Sequence, residues 1–290
     1  MSIRIVADSS ANLFKLRDAD FCCVPMSITT DEKNYRDDNE LDIEEMLSDL
    51  KSYKGKSSTA CPGPGDWIDA FSGAEQVIVL PLTSKLSGSY NSAVTAADIY
   101  MKEHPERRVF VLDSLTTGPE LQLLAERAGE LASSGELTFD EVIVQLQAYN
   151  QRSRLAFSLA SLNNFAANGR VNKVLAKSVE VLNIKIVGQA SEDGDLEPMN
   201  KCRGERRAIA QLWDNMKNDG YNGGKVRIRH TQNEEMAKRL AAAIVHTFPD
   251  ANIKIGSNKG LCSYYAEPGS ILVGYDVDAD TAASSESAEA

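Results

Sequence analysis

Three short apolar runs, each followed by a loop rich in hydroxyl side chains, constrain the fold of this chain most. They occupy residues 3–7, 76–82 and 108–112. Each run is apolar on both faces, which is typical of a strand in a parallel sheet covered by helices on both sides. Amphipathic helical spacing at residues 43–50 and 121–131 lies between and after them. The first half of the chain is therefore predicted to form right-handed βαβ units.

The pattern changes after about Arg154. Before that point, residues 24–36 are predicted to form a hairpin that decorates the first domain. After it, strands and helices mix in a different order. Strands are predicted at residues 155–159, 181–187, 225–229, 252–255 and 270–274, and helices around residues 162–168, 209–216 and 236–244.

These patterns predict an α/β fold of two domains. Residues 1–154 form a Rossmann-like parallel sheet with helices on both faces, and residues 155–277 form an α+β domain with a mixed sheet. Residues 278–290 contain Ala, Ser, Thr and acidic residues but few apolar side chains to bury, so this tail is predicted to be disordered.

Composition excludes several classes of function. The 290 residues carry 31 Lys and Arg against 42 Asp and Glu, a net charge of −11. Such an acidic chain is not expected to bind nucleic acid, which needs basic patches. No apolar run is long enough to span a membrane, and the first residues do not resemble a signal peptide. Five cysteines without a C-x-x-C pair indicate reduced thiols and a cytoplasmic location. Three histidines and no Cys/His cluster argue against a zinc site.

Four polar loops in the first half suggest a common binding site. They are residues 8–10, 57–65, 83–89 and 113–117. In an open parallel sheet, ligands bind beyond the carboxyl ends of the strands, where these loops are predicted to meet. Hydroxyls and backbone N–H groups at helix N-termini can hold an anion. The same Ser and Thr residues can also be ordinary helix caps and turn formers, so this interpretation stays open.

Motifs of common enzyme classes are absent. The sequence contains no P-loop, no G-x-G-x-x-G after the first strand and no G-x-S-x-G nucleophile elbow. His230 is the one histidine in a plausible functional position, at the end of a predicted strand, although a structural role is the simpler interpretation. Cys61 lies in a candidate site loop without an adjacent base, so a nucleophilic role is not favoured.

Short motifs follow one another in a specific order over nearly the whole chain, among them S-K-L-S-G-S-Y-N-S-A at residues 84–93 and T-A-C-P-G-P at residues 59–64. This ordered set resembles the DegV family of bacterial fatty-acid-binding proteins, whose corresponding stretches are S-x-L-S-G-T-Y-x-S-A and T-S-Q-P-S-P. Each motif alone is weak, but their order is specific. The matching stretches are residues 8–10, 24–26, 35–37, 59–67, 84–93, 168–171, 182–185 and 201–204.

The resemblance implies that a long-chain fatty acid such as palmitate binds between the two domains, without a cofactor. It further implies that the chain is not itself catalytic and presents the fatty acid to the separate ATP-binding subunit of a fatty acid kinase, which forms acyl phosphate. Arg170 matches an arginine that faces this partner. The implied ligand-binding residues are Thr59, Ser87, Gly88 and Tyr265, with Ser9 and Asn91 in support.

Some residues depart from the family pattern. Tyr265 stands where the family often has a histidine, Glu267 where it has a glycine, and Ala60 where it has a serine. A second hypothesis of another class is a stand-alone enzyme that acts on a small anionic metabolite in the same cleft. Asp8 and Asp113 are the candidate acid/base pair for that chemistry, although turn capping also explains both aspartates.

Overall fold

The computed structural model describes residues 3–171 and 183–277. Strands and helices alternate through the first half, as the apolar runs predict, and a single 3-10 turn follows the first strand at Ser9–Ala11. The elements of this half are β1 (Ile3–Asp8), β2 (Asp20–Val24), β3 (Ser27–Thr29), β4 (Asn34–Arg36), α1 (Ile43–Ser52), β5 (Ser58–Ala60), α2 (Pro64–Phe71), β6 (Gln76–Leu80), α3 (Ser89–Glu103), β7 (Arg108–Val111), α4 (Gly118–Ser133) and α5 (Phe139–Asn150).

Four of these strands form a parallel sheet in the order β2-β1-β6-β7. Helices α2 and α3 cover one face, where the Phe71 and Tyr100 rings lie 5.8 Å apart beside the buried Trp67. Helices α4 and α5 cover the other face, with Leu121 and Phe139 in the same core as the strands. The predicted parallel sheet with helices on both faces is therefore confirmed.

A small antiparallel sheet in the order β4-β3-β5 extends from the first domain. The hairpin of β3 and β4 lies within the predicted residues 24–36. Val24, however, ends β2 and pairs with Asp8 in the parallel sheet, because Pro25 separates it from the hairpin. Residues 58–60, predicted as loop, add the third strand. Their polar sequence gives no apolar alternation from which a strand could have been predicted.

The second half forms a six-stranded mixed sheet in which β11 and β12 are parallel and the other neighbours antiparallel. The strand order is β10-β9-β8-β13-β11-β12, so the last strand in sequence lies inside the sheet. The elements are β8 (Ser153–Leu159), α6 (Asn163–Ala167), β9 (Ile184–Ala190), β10 (Leu196–Arg203), α7 (Glu205–Asn218), β11 (Lys225–Thr231), α8 (Glu234–Thr247), β12 (Asn252–Ser257), α9 (Gly260–Ala266) and β13 (Ser270–Asp276).

Two elements of this half have no counterpart in the sequence prediction. Strand β10 is polar and alternately exposed, and α9 is only seven residues long. The strand predicted at residues 181–187 begins at positions that lie outside the described residues, and its described part is β9. The predicted disordered tail at residues 278–290 also lies outside them.

Helix α4 lies between the two sheets. Its apolar residues pack into the core of the first domain, whereas polar residues on another face contact β11. Arg227 Nη2 lies 2.5 Å from Glu126 Oε2, and Lys225 Nζ lies 2.7 Å from Glu130 Oε1. The helix therefore joins the domains by packing on one side and by ion pairs on the other.

Two general features complete the fold. All five cysteines fall within the described residues and are free thiols. Over residues 3–171 and 183–277, no helix combines the length and the apolar character needed to cross a membrane.

Candidate functional site

A narrow apolar cavity lies between the two sheets. Its walls and mouth enclose about 660 Å³ of space between atoms, but the centre of a water molecule fits in only about 60 Å³ of it. Met26 and Leu82 line it from the first domain, and Leu155, Phe157 and Leu159 line it from one face of β8. The cavity is therefore a narrow slot with apolar walls.

Polar side chains gather at one end of this slot. Thr59, Ser87, Arg170 and Tyr265 belong to the cavity wall there. The Thr59 Oγ1 and Tyr265 hydroxyl oxygens lie 2.7 Å apart and share a hydrogen bond across the two domains. Arg170 Nε donates to the Leu86 carbonyl at 3.3 Å, which places the guanidinium beside the Ser87 loop. We call these four residues the polar end of the cavity.

Local structure explains why Thr59 and Tyr265 point inward. Thr59 is the middle residue of β5 and pairs with the fully buried Ile28, so strand alternation turns it inward between its two exposed neighbours. Tyr265 lies on α9, and its ring centroid is 4.8 Å from that of Phe165 on α6. Aromatic packing therefore fixes the ring and leaves the hydroxyl at the polar end.

A buried carboxylate holds the loop that carries Ser87. The Leu82 N–H donates to Asp8 Oδ2 at 2.8 Å, and the Ser89 hydroxyl donates to the same oxygen. Burial is the main influence on Asp8 and raises its pKa, although these hydrogen bonds oppose the shift. The Ser87 hydroxyl in turn accepts from the Ser89 N–H at 3.2 Å. Asp8 thus orders the start of α3.

A second buried carboxylate holds α9. Asp37 accepts from the Gly260 N–H at 2.7 Å and from the Leu261 N–H at 2.9 Å. Ser9 contributes a further hydrogen bond to Asp37, and its hydroxyl accepts from the Met26 N–H at 3.1 Å. Burial raises the pKa of Asp37 to about 6. This carboxylate links the first domain to the helix that carries Tyr265.

The polar end combines neutral hydroxyls with a cation. Arg170 is the one charged side chain in the cavity wall among residues 3–171 and 183–277. Burial raises the pKa of the Tyr265 phenol, and the Thr59 hydrogen bond and the Arg170 charge only partly oppose it. Tyr265 is therefore a neutral hydroxyl at physiological pH and can donate a hydrogen bond to an anion.

The other candidate ligand residues take different positions. Ser9 is fully buried behind the wall and acts on it through Met26 and Asp37. Gly88 precedes α3 and is exposed beside the wall, whereas Asn91 is exposed on α3 outside it. Sequence reasoning missed Asp37 as a functional residue, although it ends the Tyr-Arg-Asp stretch of the family resemblance.

The residues proposed for other chemistry do not line the cavity. The Asp8 carboxylate accepts the hydrogen bonds from Leu82 and Ser89 described above. Asp113 accepts a hydrogen bond from the Ser84 N–H at 3.1 Å. Both therefore stabilise loops, which does not favour the acid/base pair of the second hypothesis. His230 is buried within β11, and Cys61 is exposed next to Gly88. In the part of the chain that the structure describes, no three His, Cys, Asp or Glu side chains are grouped to hold a metal ion.

A parallel sheet and a mixed sheet that enclose an apolar slot, with hydroxyls and an arginine at one end, define a two-domain α/β protein with an interdomain cavity. A family described as "Uncharacterised protein, DegV family" matches residues 2–277. The chain belongs to the DegV family. It is 38% identical to a DegV domain-containing protein of Streptococcus pneumoniae over 282 residues, which cover 96% of this chain and 100% of that protein.

Solved structures of similar proteins contain fatty acids. A DegV family protein from Eubacterium eligens, loaded with heptadecanoic acid, is 40% identical with a TM-score of 0.93. The fatty acid kinase B3 protein of Streptococcus pneumoniae, loaded with linoleic acid, is 38% identical with the same TM-score. Each comparison covers 96% of this chain and 100% of the other.

Proposed function

We propose that this chain binds a long-chain fatty acid in the interdomain cavity, with the alkyl chain in the slot and the carboxylate at the polar end. The observation that carries this proposal is a narrow apolar slot that ends in hydroxyls and, among the described residues, in one cation. A fatty acid has the matching form, one charged group on an apolar chain. Each buried methylene contributes about 0.8 kcal/mol, so the alkyl chain supplies most of the affinity. The fatty acids in two similar proteins support it.

The carboxylate is oriented by hydroxyl donors. Thr59 and Ser87 donate to it, Tyr265 supplies a third hydroxyl, and the loop at Gly88 closes one side. A hydrogen bond to a charged group contributes roughly 1.5–3 kcal/mol, so two or three of them fix the head group without a dedicated ion pair. Arg170 adds an attractive charge at the same end of the cavity.

The proposal is tested by the lipid that the purified protein carries. Organic extraction of the denatured wild type, followed by mass spectrometry, is expected to yield a near-stoichiometric fatty acid. Thr59→Ala or Ser87→Ala is expected to weaken binding by about 10- to 100-fold, the effect of a lost charge-assisted hydrogen bond. Thr95→Ala removes an exposed hydroxyl of α3 and is the matched control. An empty extract, with no uptake of added fatty acid, would overturn the proposal.

A second function follows from Arg170. We propose that the protein presents the bound carboxylate to the separate ATP-binding subunit of a fatty acid kinase and does not itself catalyse the transfer. The half-buried Arg170 stands at the polar end and donates to backbone carbonyls of Leu86 and Asn168. Similarity to the fatty acid kinase B3 protein supports this role.

The kinase role is tested by adding such a subunit and ATP to the loaded protein and measuring acyl phosphate. Arg170→Ala is expected to lower its formation at least about tenfold, a loss of about 1.4 kcal/mol, while the fatty acid stays bound. Lys85→Ala, an exposed cation in the Ser87 loop, is the control. Unchanged acyl phosphate in the Arg170 variant would contradict the role.

A further inference from the structure

The apolar cavity adjoins a second, polar cavity at the end of β8 remote from α6. The centre of a water molecule fits in about 880 Å³ of this polar chamber, against about 60 Å³ in the slot. Glu120, Ser153, Arg154, Gln189 and Asp219 are among the residues that line it. The two cavities differ in kind, because one is narrow and apolar, whereas the other is wide and lined mostly by polar residues.

The side chain of Leu155 borders both cavities. Within residues 3–171 and 183–277, Leu155 is the one residue that lines both the slot and the polar chamber. Its cross-strand neighbour on β13 is Gly274, which has no side chain to thicken the partition. A Cβ at Gly274 would lie 2.4 Å from the backbone of Pro119 and Glu120, so α4 leaves no room for one.

The polar chamber is unfavourable for an alkyl chain. Glu120 lies at its wall and is 5% exposed, with its carboxylate accepting from the hydroxyls of Thr116 and Ser153. Burial raises the pKa of Glu120 to about 7, so this group is partly charged at neutral pH. Each methylene strengthens binding about fourfold only while it is buried among apolar atoms. That gain ends where the slot ends.

We infer that Leu155 is the residue that sets the longest acyl chain this protein retains, by closing the slot against the polar chamber. The inference rests on the proposed binding of a fatty acid. The inference concerns the chain-length specificity of that site. Leu155 lies on the same face of β8 as Phe157 and Leu159, and of these three residues it lies nearest to the polar chamber. A chain that reaches Leu155 fills the slot, and a longer chain must displace it.

The test is competition among saturated fatty acids that differ by two carbons, offered together in equal amounts and identified in the retained lipid by mass spectrometry. Wild type is expected to show a sharp upper limit of length. Leu155→Ala is expected to raise that limit by at least about two carbons and to enrich the longer acid about tenfold. Leu155→Val removes one carbon and is expected to give a smaller shift with less risk to folding.

Leu159→Ala is the matched control, because it makes the same truncation on the same face of β8 at the end away from the chamber. It is expected to weaken retention of all chain lengths without moving the limit. A fatty acid with a hydroxyl on its last carbon provides a second readout. Wild type is expected to disfavour it by about 10- to 100-fold, because the hydroxyl is buried without a partner, and Leu155→Ala is expected to accept it.

The outcomes separate this inference from the function beneath it. A limit that stays in place in Leu155→Ala, or that moves equally in Leu159→Ala, overturns the inference while leaving fatty acid binding intact. A wild-type protein that retains no fatty acid of any length overturns both.

Discussion

Two of the contacts that join the domains, one along α4 and one at the start of α9, use different chemistry. Along α4, the join consists of ion pairs to β11, with the Arg227 side chain 2% exposed and that of Glu126 12% exposed. At the start of α9, the join is the Asp37 carboxylate, which accepts two backbone N–H groups. Only the second join holds a helix that lines the cavity, since α9 contributes Leu261 and Tyr265 to the wall.

The pKa values of the two carboxylates reflect this difference. Burial alone would raise the pKa of Glu126, but the hydrogen bonds and charge of Arg227 outweigh it and lower the pKa. Burial raises the pKa of Asp37 to about 6, because its partners are mainly neutral donors and Lys259 acts only as a weaker, nearby charge. The α4 join is therefore expected to determine whether the protein folds, and the α9 join whether it retains its ligand.

The largest expected effect comes from breaking the α4 join. Arg227→Met removes the buried cation that bonds the Glu126 carboxylate and leaves the exposed Lys254, 3.9 Å away, as a weaker partner. Loss of a buried ion-pair partner typically costs about 3–5 kcal/mol of unfolding free energy. Urea unfolding measures this change. Replacing both partners, as Arg227→Met with Glu126→Leu, is expected to restore most of the stability, because the poorly compensated charge is then gone.

The control for this variant is an exposed ion pair. Lys238 and Glu234 lie 2.9 Å apart with each side chain 59% exposed. Lys238→Met is expected to change the unfolding free energy by less than about 1 kcal/mol. If Arg227→Met lowers the unfolding free energy no more than Lys238→Met does, the α4 contact is not the main determinant of stability that we describe.

A smaller effect on stability, but a larger one on the ligand, is expected at the α9 join. In the native protein, the N–H groups of Gly260 and Leu261 each donate to a different oxygen of Asp37. Asp37→Asn keeps only one of these acceptor oxygens, so α9 and its Tyr265 are expected to shift. Dissociation of the fatty acid is expected to be about tenfold faster, equivalent to about 1.4 kcal/mol. Asp38→Asn is the neighbouring control, since Asp38 accepts from the Glu40 N–H and does not reach α9. Equal dissociation rates in both variants would contradict the role of Asp37.

The same variant tests the charge of Asp37. Because its pKa is about 6 in the fold against an ordinary 3.8, the folded protein binds this proton more tightly than the unfolded chain does. The contribution of Asp37 to the unfolding free energy therefore decreases as the pH rises from about 4 to 7. Relative to Asp37→Asn, wild type is expected to lose about 2 kcal/mol of stability between pH 4 and pH 7.5.

Apolar periodicity predicted the parallel sheet well because its strands are buried on both faces, as Ile78 and Val79 illustrate with no exposed surface. Elements that depend on tertiary contacts were not predictable in this way. Strand β5 is polar and exists because β3 lies beside it. The seven residues of α9 are too few for helical spacing to stand out, and the helix is stabilised by Asp37, more than 220 residues away.

The polar end was predicted only in part, and for a related reason. Hydroxyl loops after strands suggested an anion site, and the family motifs implied Thr59, Ser87 and Tyr265, which the structure places in one wall. Asn91 belongs to the motif at residues 84–93 that also contains Ser87, but it lies on α3 with its side chain exposed to solvent. The position of Leu155 between the two cavities could not be predicted from the sequence. A leucine in a buried strand gives the same apolar pattern whether its side chain faces a packed core or a cavity.

The position of β13 has a consequence for how the protein is made. Strands β10, β9 and β8 form one half of the second sheet and β11 with β12 the other, and β13 pairs with both halves to make one continuous sheet. During synthesis on the ribosome, β8 and β11 each have an unpaired edge until residues 270–276 of β13 emerge. The pairing of β13 with β8 joins residues far apart in sequence, and such contacts form slowly. Unpaired edges invite aggregation, so the nascent chain is most exposed to misassembly just before its last strand arrives.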